Sequence, residues 1–211
     1  MSAPRRRGAC PTLAAPMETG DGWLVRIALR GGVSTAQLSG LAHAAGRLGN
    51  GLIEVTSRGG VQIRGLTETS AAEMASVVEY LEIGLKTGLS ALTGPLAGVD
   101  PEEIADPRQL AAAIELRAGA FAERLSPKAS LIVDGGGVFG IGALGADFRL
   151  TAEARGWRVE IGGRDFGLHD AETAAGIAAD GIERLAALGP EARARDLPQE
   201  RGERKGGARP G

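Results

Sequence analysis

The stretch TSRGGVQIRGL, residues 56–66, decides how this chain is read. Ser57–Gly60 has the composition of a tight turn, two glycines following a polar pair. From Val61 the pattern alternates: Val61 and Ile63 fall on one face, Gln62 and Arg64 on the other. Just before the turn, LIEVT (residues 52–56) alternates in the same way. Two short strands joined by a glycine turn make a hairpin, and the flanking sequence says what covers it.

Upstream, WLVRIAL (residues 23–29) reads as a strand and RGGV as a turn. Ser34 and Gln37 form a capping-box pair, and Leu38, Leu41, Ala42, Ala45 and Leu48 follow at helical spacing until GNG (residues 49–51) ends the helix. Downstream, Ser70 and Glu73 suggest a second capping box. That helix carries Met74, Val77, Val78, Leu81 and Leu85 on its buried stripe. The order β-α-β-β-α over residues 21–86 predicts a ferredoxin-like half-domain in an α+β protein.

A second αβ segment is expected over residues 87–197. It begins with a connector to about residue 105, centred on GPLAGVDP, and then a helix capped by Asp106 with Pro107 at its first position. ASLIVD (residues 129–134) is a strand running into three glycines. DFRLTAE and WRVEIGG are two more strands joined at ARG, and a last helix spans about Asp170 to Ala187. Residues 1–20, with Pro4, Pro11 and Pro16, read as an irregular arm. Residues 198–211 lack the apolar side chains to fold and are expected to be disordered.

Composition narrows the function classes. A net charge of −2 over 211 residues argues against bulk attraction to nucleic acid or an anionic membrane. No apolar run suits a membrane span, and the basic N-terminus has no apolar core for a signal peptide, so a soluble, cytoplasmic protein is expected. Cys10 is the single cysteine, and with His43 and His169 the only histidines, a metal site built from this chain alone is poorly supported. Only three of the 24 basic residues are lysines, Lys86, Lys128 and Lys205, so a lysine in a motif carries more weight than an arginine.

Gly140–Gly145, GIGALG, matches the dinucleotide-binding pattern. The pattern needs a helix to follow, and ADFRLTAE alternates as a strand, so no such site is expected. The arginines offer more. Arg26 lies in the first strand, Arg58 in the hairpin turn and Arg64 on the polar face of the next strand. If these strands share a sheet, their guanidiniums face one surface, with planar donor forks suited to carboxylates. The alternative is that they are the solvated faces of amphipathic strands. Asp134, ahead of the triple glycine, reads as a turn cap before it reads as an acceptor for a ligand.

The segment GDGWLVRIALRGGVSTAQLSGLAHAAGRLGNGLIEVTSRGGVQIRGL (residues 20–66) resembles the ferredoxin-like half-domain of the nitrite/sulfite reductase family. Within that family, RRGACPTLAAPMETGDG, GPLAGVDP, LSPKASLIVDGGG and ALGPEARARDL resemble the precorrin-3B synthase branch of aerobic cobalamin biosynthesis. The resemblance runs over about residues 5–197. It implies an oxidoreductase that binds a polycarboxylate tetrapyrrole, precorrin-3A, and uses dioxygen to hydroxylate it. It also implies a family cofactor set of a 4Fe–4S cluster with iron or sirohaem. Carried onto this chain, Arg26, Arg58 and Arg64 fall on motif arginines and Lys128 on a motif lysine, as tetrapyrrole ligands. A second motif arginine is Ala28 here, which by the resemblance disfavours reduction of a small inorganic anion; the motif proline is Arg30, and a second motif lysine is Ser130. The family's cluster cysteines are not matched in this sequence, so no such cofactor is fully ligated by it. The resemblance therefore also implies a homodimer or a partner chain that supplies the missing half. A non-catalytic tetrapyrrole-binding or assembly subunit, or a truncated reductase-like protein, is the other reading.

Overall fold

A computed structural model describes residues 11–86 and 88–198. The chain divides between Lys86 and Thr87 into two compact units. The expected tail, the family-like RGACP opening up to Cys10, and Thr87 lie outside the described residues.

The first unit orders as β1 (Met17–Thr19), β2 (Gly22–Ile27), α1 (Thr35–Leu48), β3 (Ile53–Val55), β4 (Val61–Leu66) and α2 (Glu68–Tyr80). The sheet order is β1-β2-β4-β3 and every neighbouring pair is antiparallel. Strand β4 therefore inserts between β2 and β3, which α1 connects, giving a split β-α-β unit. Val25, Ile27, Val61 and Ile63 point to one face and pack with Leu41, Ala45 and Met74 of the two helices. Each buried aliphatic side chain contributes about 1.5–3 kcal/mol, so this core holds the helices on one side. The other side keeps Arg26, Gln62, Arg64 and Glu54.

Two local expectations change. Residues 17–19, expected within an irregular arm, form β1 and pair with Gly22–Leu24. Helix α2 begins earlier than Ser70–Glu73 implied. Thr67 is its N-cap, its hydroxyl accepts from the Ser70 backbone N–H at 3.0 Å, and the Ser70 hydroxyl accepts from the Thr67 N–H at 2.9 Å. Ser70 also donates to the Leu48 carbonyl at the end of α1, 2.7 Å away. That tertiary bond favours the box closed by Ser70. The Ser34–Gln37 box forms as expected.

The second unit contains β5 (Ala91–Leu92), α3 (Pro107–Ala118), β6 (Leu131–Asp134), β7 (Phe148–Glu153), β8 (Gly156–Ile161), β9 (Arg164–His169) and α4 (Ala171–Leu188). The sheet order follows the chain; β5, β6 and β7 are parallel, and β7, β8 and β9 antiparallel. Leu131, Val133, Phe148, Leu150, Val159 and Ile161 pack with Ile114 of α3 and Ile182 of α4. At Gly181, an added Cβ would lie 2.9 Å from Ile161 and 3.0 Å from Phe148, so glycine lets α4 settle close to the sheet.

Here β5 and β9 are additions to the sequence reading. The connector over residues 86–105 contains β5, which pairs with Leu131–Ile132. His169 is the last residue of β9, and Asp170 is the N-cap of α4, with a side-chain oxygen 2.8 Å from the Thr173 N–H. The GIGALG stretch leads through a loop into β7, a strand, so it lacks the helix a dinucleotide site needs.

Candidate functional site

The polar face of the first sheet is built by strand register. Arg26 of β2 pairs directly with Gln62 of β4, and Gln62 pairs with Glu54 of β3, making a row Arg26–Gln62–Glu54 across three strands. Beyond that row the register slips. Trp23 pairs with Leu66 and Val25 with Ile63, so Arg64 and Gly65 together oppose Leu24. Gly65 has φ +68°, a left-handed conformation open to glycine. This bulge returns Leu66 to the core and leaves Arg64 on the polar face.

The three arginines differ in what surrounds them. Arg26 is half-buried, and its Nε is shut off from solvent with no hydrogen-bond partner. Nearby on β2, Leu24 is buried. An unpaired buried guanidinium nitrogen is costly in a folded chain, and it marks a place for an acceptor. Arg58 is exposed in the Ser57–Gly60 turn, where the Thr56 hydroxyl accepts from the Gly60 N–H at 3.0 Å and holds the loop closed.

Arg64 is engaged. Its Nε and Nη2 lie 2.9 and 3.0 Å from the two carboxylate oxygens of Asp21 in the β1–β2 turn. Its Nη1 lies 3.2 Å from Glu54. Hydrogen bonds from Arg64 and from the Thr19 hydroxyl hold the Asp21 carboxyl far below the usual carboxylate range, and Asp21 with Glu54 raises Arg64. Composition and spacing gave no sign of this pairing; it needs the turn and the register of two strands.

Lys128 belongs to the second unit. It is exposed in the turn before β6, its backbone N–H 3.3 Å from the Ser126 hydroxyl. Two residues on, Ser130 is buried and its hydroxyl lies 3.0 Å from Asp147. The site where the resemblance places a second lysine is thus committed to an internal hydrogen bond. Ala28 is exposed but offers only a methyl group, and Arg30 is exposed.

The remaining candidates are accounted for locally. Asp134 accepts from the Gly136 and Ile141 N–H groups at 3.0 and 2.9 Å, so it caps the glycine-rich loop. Imidazole nitrogens of His43 and His169 lie 2.9 Å from the carbonyls of Ser39 and Phe166. Among the described residues, no group of three or more His, Cys, Asp and Glu side chains is arranged to hold a metal, and no helix is long and apolar enough to cross a membrane.

Asp147, which the sequence reading passed over, is the best-connected carboxylate among the described residues. It accepts from the Ser130 N–H and hydroxyl, the Arg193 guanidinium and the Ala194 N–H. It braces the second unit.

Comparison with known proteins bears on the family and the fold. Residues 15–79 match the family described as "Nitrite/Sulfite reductase ferredoxin-like half domain". A precorrin-3B synthase from Sinorhizobium sp. is 42% identical over 209 residues, a match covering 92% of this chain and 45% of that protein. The chain thus spans less than half the length of this curated relative. The Mycobacterium tuberculosis NirA protein aligns in structure with a TM-score of 0.56 at 17% identity, over 80% of this chain and 36% of that one. This last match speaks for the fold.

Proposed function

From a chain whose residues 15–79 match the nitrite/sulfite reductase ferredoxin-like half-domain family, we infer a role as part of a precorrin-3B synthase-type oxidoreductase of cobalamin biosynthesis. The polar face of its first sheet takes up carboxylates of a tetrapyrrole of the precorrin-3A class. The observation that carries this reading is the buried, unpartnered Nε of Arg26, set in a row with Gln62. A carboxylate supplies the missing acceptor, and a guanidinium presents donors in the matching planar geometry. Arg58 is the further cation of the first unit assigned to a substrate carboxylate, and Lys128, in the second unit, is a separate candidate for one. Arg64 belongs to the same constellation, in a role its two acidic partners define.

What this chain's residues do is bind and orient. Holding a substrate carboxylate at Arg26 on a rigid sheet orients the ring and saves the entropy of aligning it. The redox group is a separate matter. A 4Fe–4S cluster takes four thiolate ligands, and this sequence holds one cysteine. The donor set does not fit a cluster, so no step is routed through one here. The same observation favours a second reading, a non-catalytic tetrapyrrole-binding subunit. In either case the redox centre is held by residues other than those of this sequence. The exposed Val99, Val138 and Phe139 support association.

Titrating the purified chain with uroporphyrin III, an octacarboxylate tetrapyrrole, and following its absorbance tests the reading. Arg26→Ala should weaken binding about 10- to 100-fold, the worth of a charge-assisted hydrogen bond. Equal affinity in the two proteins refutes the assignment.

A further inference from the structure

Arg64 has the right fold position for a substrate ligand and the wrong surroundings. Asp21 accepts two of its N–H groups and Glu54 a third. Two carboxylates against one guanidinium give the trio a formal charge of −1. An arriving substrate carboxylate would meet two like charges at that point, with the better edge of the guanidinium fork already filled. Arg26 presents the opposite case, a cation on the same face with a donor that nothing satisfies.

The trio also connects three elements. Arg64 sits in the β4 bulge, Asp21 in the β1–β2 turn and Glu54 on β3, the strand on the far side of β4 from β2. The Asn50 side-chain amide adds a 3.4 Å bond to Asp21 from the end of α1. These contacts hold β2, β4 and β3 in the alignment that creates the Arg26–Gln62–Glu54 row.

We propose that Arg64 is a positioning residue and not a tetrapyrrole contact: clamped by Asp21 and Glu54, it fixes the strand alignment that presents Arg26, and its two acids bound the carboxylate-binding area with negative charge. This rests on the tetrapyrrole reading above. It reassigns Arg64 and gives Asp21 and Glu54 a function, as the border that tells a correctly placed ring from one shifted along the sheet.

Charge exchange separates the two roles. Arg64→Glu alone should weaken uroporphyrin III binding about tenfold or more, by breaking the clamp. Adding Asp21→Arg should bring affinity back to within about threefold of the parent, because the arginine introduced at position 21 can meet both carboxylates and the coupling is pairwise. If the double variant stays as weak as the single one while melting like the parent, Arg64 touches the ligand and the proposal fails. It also fails if neither variant alters affinity although Arg26→Ala does. A parent chain that does not bind uroporphyrin III overturns the tetrapyrrole reading itself, and this inference with it, at the first titration. A second measurement needs no variant. In a nitrogen-15 NMR titration of the parent, the Arg26 Nε–H resonance should move with ligand and that of Arg64 should stay. An Arg64 shift as large as that of Arg26 overturns the proposal.

Discussion

Arg193 lays Nε and Nη2 on the two oxygens of Asp147, at 3.0 and 2.7 Å, and so ties the residue before β7 to the C-terminal segment of the second unit. Asp147 is 5% exposed and its remaining acceptor capacity goes to Ser130 and Ala194. Asp147→Asn replaces acceptor positions with donors inside this nest. It should cost about 2–4 kcal/mol, as expected when one member of a buried hydrogen-bonded pair is changed. Urea unfolding followed by circular dichroism measures it; a loss below about 0.5 kcal/mol would mean the nest is not a stabilising element.

The same carboxylate sets an acid limit. Burial alone pushes Asp147 upward, but the hydrogen bonds from Arg193, Ala194 and Ser130 outweigh it and hold the group below its ordinary value. A depressed folded-state pKa means that the stabilisation is complete above the unfolded value, about 3.9, and drains away as pH falls through the folded one. Parent stability should therefore decline steeply below about pH 4, and the Asp147→Asn variant should decline less. Parallel curves for the two proteins would assign the acid sensitivity to other groups.

Local signals in the sequence carried much of the fold. The Ser34–Gln37 box and the alternation of Val61–Leu66 are nearest-neighbour patterns, and both elements formed where they were read. What escaped depends on partners distant in sequence. Strand β9 is half-exposed at all six positions and so shows no alternation. The short β5 exists because Leu131 and Ile132 pair with it. For the candidate face, pattern put Arg26, Arg58 and Arg64 on one surface only if their strands share a sheet; the strands of Arg26 and Arg64 do pair, and Arg58 lies in the turn that precedes β4. That Arg64 arrives there already paired is invisible without the β1–β2 turn and the β3 register, and Asp147 owes its role to residues 46 and 47 positions away.

The displaced capping box gives a direct comparison. Thr67→Ala should cost about 1 kcal/mol as a lost N-cap. Ser70→Ala should cost more, since the Thr67 N–H and the Leu48 carbonyl both lose a partner. Glu73, the residue that the sequence pattern favoured, is exposed, and Glu73→Ala should stay within about 0.5 kcal/mol. Thermal melts of the three variants rank them, and Glu73→Ala as the most damaging would restore the Ser70–Glu73 box.

Gly65 supports the bulge that sets Arg64 apart from the core. An alanine there would adopt a φ of +68° and place its Cβ 2.5 Å from the Asn50 side chain. Gly59, in the hairpin turn, has φ +71° but nothing within 4 Å. Gly59→Ala thus reports the backbone cost alone, about 1 kcal/mol, and Gly65→Ala should exceed it by about 1 kcal/mol or more. Equal losses in urea titrations would show that Asn50 moves aside freely, and would weaken the case that its contact with Asp21 helps hold the clamp.

The glycine-rich loop of the second unit supplies a final test. Val99, Val138 and Phe139 are 73%, 59% and 60% exposed. The loops that carry them are braced by hydrogen bonds. Asp100 accepts from the Val138 N–H at 2.7 Å, Glu103 from the Gly98 N–H at 2.7 Å, and the Ile104 N–H donates to the Gly135 carbonyl at 2.8 Å. Apolar groups held outward on fixed backbone present a persistent patch to water and to other proteins. Val138→Ser combined with Phe139→Ser should reduce hydrophobic-dye fluorescence and any concentration-dependent association seen by sedimentation. The melting temperature should change little, because surface substitutions away from packed features usually stay within about 0.5 kcal/mol. A large fall in melting temperature with dye binding unchanged would instead place these side chains in the packing of the unit and remove the patch as a reason for association.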